Sequence, residues 1–282
     1  MMRRGPSLSP RLRSVSAATG RAPRVWAWAA LGALLGLAAG LVSQAPAAWL
    51  AQAVARLSQD RVQLVDPQGT LWQGSALPVL AGPAGSRDAS VLPARLHWRT
   101  RPTWLGLRWQ LQQPGHIDAP LQIDWQVGWG RQRFELQGAA GALGHWPAAW
   151  LAGLGAPLNT LRPGGELRLS SSSGLRVDSD AQGWRLEGQA RVELLQFSSR
   201  LSTIEPLGSY QLLLAPQGER RVALQLSTLD GALRLSGQGE IGAQGLRLRG
   251  EASAAPGQEA ALNNLLNIIG RREGALSRLS IG

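Results

Sequence analysis

Over long stretches the chain changes polarity at every residue. Leu105, Leu107, Trp109 and Leu111 alternate with Gly106, Arg108 and Gln110, and Leu121, Ile123, Trp125, Val127 and Trp129 alternate with Gln122, Asp124, Gln126 and Gly128. Successive side chains of a strand point to opposite faces, so this period fits half-buried strands and no helix. The pattern returns at Leu167 and Leu169, at Trp184 and Leu186, at Val192 and Leu194, and from Tyr210 to Leu248. Turn signals separate the runs: Asp66-Pro67-Gln68-Gly69, Ala215-Pro216-Gln217-Gly218 and Asp230-Gly231. Strands joined by such short turns pair antiparallel, because a parallel pair needs a crossover of about a dozen residues or more. The expected fold is therefore mainly β, a long, curved antiparallel meander. Its apolar face must be covered by curling into a gutter or open barrel, by stacking as a sandwich, or by binding something apolar. Helical patches near 145–154 (HWPAAWLAGL) and 258–269 (QEAALNNLLNII) interrupt it, with possible halves at 59–145 and 165–282.

Ahead of the β region, residues 25–42 (VWAWAALGALLGLAAGLV) carry no charge. As a helix they cover roughly 27 Å, close to a bilayer core of about 30 Å. Trp26 and Trp28 at one end and Trp49 beyond the other fit interfacial positions. The chain thus divides into a basic tail (1–24), a transmembrane helix (25–45) and a β domain (46–282), which opens with an amphipathic helix in PAAWLAQAVARLS. The positive-inside rule places the tail in the cytoplasm and the β domain across the membrane. A cleavable signal peptide is the alternative, since Ser43-Gln44-Ala45 offers small residues before a cut at Pro46. Gly32, Gly36 and Gly40 recur every fourth residue, a spacing that lets a second helix, including one from another copy of the chain, pack closely.

The 29 basic residues are all arginine and the formal charge is +11. Six arginines precede residue 25 and no acid precedes Asp60, so more than half of that charge is the tail. This argues against nucleic acid as a partner. The absence of cysteine excludes disulfides, thiol nucleophiles, Cys-ligated metals and a lipoprotein anchor. His97, His116 and His145 stand apart in sequence and form no HxH or HExxH pattern. Asp178 and Asp180 read as a solvated hairpin turn rather than a cation loop, and the run Ser170 to Ser173 has no histidine near it in sequence. No catalytic residue, cofactor or metal is expected, and the chain reads as a non-enzyme.

One polar stretch stands out, GTLWQGSA at 69–76, with Gly69, Thr70, Leu71, Trp72 and Gly74 as its motif residues. The turn before it should reverse the chain, so that Trp72 begins a returning strand, faces inward with Gly74 and Ala76, and closes the first hairpin. Gly74 would leave room for the indole. Taken with the anchor running into PAAWLAQAV and with LNNLLNIIGRREG at 262–274, this stretch resembles the GTLW-x-G signature of type II secretion system protein N, also called general secretion pathway protein N. The resemblance implies a single-pass subunit of the bacterial inner membrane with a periplasmic domain. It would assist export of folded proteins across the outer membrane, and its partners would be other components of that machine. The alternating Trp and Leu faces also resemble AsmA-like envelope proteins, whose apolar gutters imply lipid as an alternative ligand.

Overall fold

In a computed structural model the described residues are 23–281, apart from Ala84, Pro93, 138–140 and Ser173. The basic tail assigned to 1–24 lies, through residue 22, outside them. Residues up to Gln44 form one unit and those from Ala45 onward another. In the first, helix α1 spans Pro23–Ser43. Its window Trp26–Ser43 has a mean hydropathy of 1.7 and no buried residue, so its length and composition suffice to cross a membrane.

The second unit begins with helix α2 (Ala47–Leu57). Strands β1 (Val62–Gly69), β2 (Gln73–Ala81), β3 (Ala89–Val91), β4 (Leu96–Thr103), β5 (Gly106–Gln112), β6 (Leu121–Gly128) and β7 (Arg131–Gln137) follow as an antiparallel meander. The chain then starts a second sheet with β8 (Gly141–Pro147), a 3-10 turn (Ala148–Leu154), a short helix α3 (Leu158–Leu161) and β9 (Pro163–Ser171). It returns to the first sheet for the hairpin β10 (Leu175–Asp180) and β11 (Gly183–Glu187). The second sheet resumes with β12 (Ala190–Ser199), β13 (Gly208–Pro216), β14 (Val222–Gly231), β15 (Leu233–Gly242) and β16 (Gly245–Ala254), then helix α4 (Glu259–Ile269), β17 (Arg271–Glu273) and β18 (Leu276–Ile281). The first sheet runs β1-β2-β4-β5-β6-β7-β10-β11 with β3 beside β2, and the second β17-β18-β16-β15-β14-β13-β12-β9-β8. Both are antiparallel, as the alternation and short turns required, and neither closes into a barrel.

Each sheet buries one end of its apolar face under a helix. On the first, Ala47 of α2 packs on Ala76 and Trp98, flanked by Leu50, Leu64 and Leu111. On the second, Leu262, Leu265 and Leu266 of α4 pack on Tyr210, Leu233 and Ala252. Polar groups beneath α4 are paired: Tyr210 Oη donates to Leu233 O at 2.9 Å, and Ser277 Oγ to Leu266 O at 2.7 Å. Burial pushes the Tyr210 phenol above its ordinary range, with Asp230 adding to the shift.

Local details depart from the sequence reading. Asp66-Pro67-Gln68-Gly69 is a bulge inside β1, where the register with β2 shifts between Val65 and Gln68, and not the reversal itself. Pro67 cannot donate to a ladder, and a bulge is where a strand accommodates it. Arg95 fixes the bulge through Asp66 Oδ2 at 2.7 Å and Asp66 O at 2.6 Å, holding that carboxyl below its usual range. Asp230-Gly231 likewise stays paired to β13. His145 and Trp146 lie on β8, so the first helical patch begins only at Ala148, after Pro147.

Candidate functional site

The reversal of the first hairpin falls on Thr70, Leu71 and Trp72, and the start of the β unit is tied to it. Leu71 N donates to Ala45 O at 2.8 Å, and Pro46 and Thr70 form an antiparallel bridge. Thr70 Oγ1 accepts from Trp72 N and Gln73 N, each at 3.2 Å, which holds the turn from within. Its three carbonyls are taken from β4: Trp98 Nε1 donates to Thr70 O, Thr100 Oγ1 to Leu71 O, and Thr100 N to Trp72 O. Both motif glycines have steric causes. Gly69 has φ +84°, and a Cβ there would lie 2.5 Å from Gln73 O. A Cβ on Gly74 would lie 2.5 Å from Trp98 Cζ2.

The indole that Gly74 accommodates therefore belongs to Trp98, 3% exposed, while Trp72 sits in the turn and is half-buried. Sequence reasoning missed Trp98 because its neighbours His97 and Arg99 gave it the same alternating pattern as every other strand tryptophan. GTLW-x-G is a clasp that joins Ala45 and Pro46 to the sheet.

Beyond the patch on which α2 packs, the apolar face of the first sheet is half-buried to exposed. Residues directly opposite in a ladder share a face, which puts Leu107, Trp125, Phe134, Val177 and Leu186 in one row. Trp109 stacks on Trp125 at 6.2 Å, and Trp125 on Phe134 at 6.0 Å. Trp125 Nε1 is buried with no hydrogen-bond partner among the described residues. On the other face, Arg108, Asp124, Glu135, Arg176 and Glu187 form the matching charged row. Asp124, 3% exposed, accepts from Arg108 Nε and Nη2 at 2.6 and 2.7 Å and from Gln137 Nε2 at 2.7 Å. Arg176 bridges Glu135 and Glu187, each at 3.2 Å.

Two hairpin tips of this sheet carry bare indoles. Trp104, between β4 and β5, is 97% exposed, and Trp129, between β6 and β7, is 104% exposed. The alternation placed Trp129 on the inward face, but the strand ends at Gly128 and the residue belongs to the turn. The signal for both was an aromatic residue at a turn position, where polar residues are usual.

Residues considered for chemistry stay apart or are otherwise engaged. No group of three or more His, Asp or Glu able to hold a metal occurs among the described residues. His116 and His145 do meet: His116 Nδ1 lies 3.0 Å from His145 O, and the rings are 6.1 Å apart. His97 lies on β4. Asp180 Oδ1 accepts from Gln182 N and Gly183 N and closes the β10–β11 turn, while Asp178 pairs with Arg133 at 2.6 Å. Ser171 Oγ donates to Gln189 O, and Ser173 is outside the described residues. Gly32, Gly36 and Gly40 lie on α1, and among the described residues a Cβ at any of them would meet no atom within 4 Å beyond its chain neighbours and the adjacent helix backbone.

The family model described as type II secretion system (T2SS), protein N matches residues 60–277, a span that includes Gly69–Gly74 and α4. No curated protein and no solved structure gives a match.

Proposed function

Because the chain belongs to the type II secretion system protein N family, we propose that it is a single-pass accessory subunit of that machine in the bacterial inner membrane, with its β unit in the periplasm. The family match over 60–277 carries this reading. Support comes from α1, which has the length and hydropathy of an anchor, and from arginines preceding it that would keep the N-terminus in the cytoplasm. In this role the protein binds other machine components rather than transforming a substrate. The strand edges of the two sheets suit pairing with a partner's strand, and the Gly32, Gly36 and Gly40 face suits close packing against a helix of a second copy or of another subunit. The test is deletion of the gene followed by assay of folded substrates outside the cell. Loss of export restored by the intact gene is the expected result, and unimpaired export would refute the assignment.

A second reading has one observation in its favour. The stacked row of Trp109, Trp125 and Phe134 leaves a half-buried apolar face that α2 does not cover, with Trp125 Nε1 lacking an acceptor among the described residues. A lipid would supply acyl chains for the face and an ester oxygen for the indole N–H, as an AsmA-like gutter would. Native mass spectrometry of the detergent-purified protein decides it: a bound lipid supports the gutter, and a lipid-free mass counts against it.

A further inference from the structure

The exposed tryptophans of the β unit are unevenly placed. Among the described residues they are Trp49, Trp104 and Trp129. At the other end of the first sheet the indoles of Trp146 and Trp150 are half-buried, and each donates a hydrogen bond, to Gln113 Oε1 and Ser90 O. The end that carries the bare indoles is fixed by register. Thr100 lies beside Leu71 and Trp72 of the clasp turn, and Trp104 is four residues further along the same strand direction, ~13 Å at the usual rise. Val127 N donates to Leu105 O, which places the Trp129 turn beside the Trp104 turn, ~10 Å across two strand spacings. Ala45 and Pro46, bonded to Leu71 and Thr70, enter the unit at this same end, and Trp49 follows in the first turn of α2. Ala45 is two residues beyond Ser43, the last residue of α1 in the chain.

Given anchoring by α1 as proposed above, we infer that this end of the first sheet docks on the surface of the bilayer that holds the anchor, with Trp104 and Trp129 seated among the lipid headgroups. Three features fit a lipid surface. The chain leaves the anchor and enters the sheet at the clasp, so the covalent connection itself brings this end to the membrane. Trp is the residue enriched where water meets lipid, and Leu105, 58% exposed, and Val127, 43% exposed, add apolar area beside the two indoles. Arg101 and Arg131 flank the tips, are exposed and make no ion pair among the described residues, so they are available for headgroup phosphates. Asp180 is the register partner of Arg131, and its carboxylate is spent on the β10–β11 turn. Docking at these tips would restrict how the β unit tilts on its anchor and would set the direction in which the apolar face of the sheet opens.

The lack of cysteine allows a direct test in the full-length chain. Single cysteines are placed by Thr103→Cys and Gly128→Cys, which keep both tryptophans. Among the described residues a Cβ on Gly128 meets only Arg131 O, at 3.9 Å. Arg87→Cys, exposed in the loop after β2 at the far end of the sheet, reports water, and Leu34→Cys in α1 reports the anchor. Each variant is nitroxide-labelled and reconstituted in vesicles of phosphatidylethanolamine and phosphatidylglycerol. Electron paramagnetic resonance then gives the ratio of accessibility to oxygen over a water-soluble nickel chelate. The expected result is a ratio at 103 and 128 several-fold above that at 87, falling to the value at 87 when Trp104 and Trp129 are both changed to Ala. Water-like ratios at 103 and 128 with a bilayer-depth ratio at 34 would overturn the docking, leave the anchor standing, and turn the indoles into a surface for a protein partner. A water-like ratio at 34 would overturn the anchor, and the docking with it.

Discussion

Replacing Trp98 by Ala tests which indole holds the clasp. Trp98 is 3% exposed and packs on Ala47 and Ala76, with Leu50, Leu64 and Leu111 around them. Removing a buried indole costs about 3–5 kcal/mol through lost transfer energy and the cavity left behind. Losing the Nε1 donor to Thr70 O adds about 1 kcal/mol. The same change at Trp72, half-buried and in the turn, removes roughly half the buried area and costs about 2 kcal/mol. Trp98→Ala should therefore be the worse of the two by about 2–4 kcal/mol, more than a tenfold difference in the unfolding equilibrium. Pulse proteolysis of the micelle-bound chain across a urea series reads the fraction folded without relying on tryptophan fluorescence, which both substitutions would alter. Equal losses, or a larger loss at Trp72, would refute the assignment of Trp98 as the buried indole of the clasp.

Gly36→Ile should abolish self-association or partner association of α1 in a membrane two-hybrid assay, since it puts a branched side chain at the centre of the glycine face; undiminished association would exclude that face. Asp124→Ala should destabilise the protein by about 2 kcal/mol in the same proteolysis assay, because it strands Arg108 and Gln137 on the charged row, with the exposed side of Arg108 keeping the loss moderate. Tyr210 is raised in the fold, so its contribution is complete below the unfolded phenol value of about 10 and is lost as pH rises towards the folded one. Tyr210→Phe should therefore flatten the fall in stability above about pH 10, and an unchanged alkaline limb would contradict the burial. Asp66 is depressed by Arg95, so its contribution is complete above about pH 4 and lost as pH falls through the folded value. Asp66→Asn should reduce the acid sensitivity of unfolding below that pH.

Alternation and turn residues determined the class of fold. A period of two written in Leu, Trp and Val against Arg, Gln and Asp is read locally, and short connections leave antiparallel pairing as the only outcome. The apolar helix α1, the amphipathic α2 and α4, and the GTLW-x-G motif were legible for the same reason, because each is written in contiguous residues. Which sheet a hairpin joins is not local. The β10–β11 hairpin pairs with β7 of the first sheet while its neighbours β9 and β12 pair with each other in the second, and its alternation would have suited either edge. The same limit applied to Trp72 and Trp98. Both follow polar or alternating neighbours, but only cross-strand register places Trp98 over Gly74 and under Ala47, and leaves Trp72 in the turn. It also brings Trp104 and Trp129, far apart in sequence, to neighbouring turns at one end of the sheet. Sequence fixes the period of a strand, whereas the partner and register that decide which residues meet depend on packing energies summed over the whole sheet.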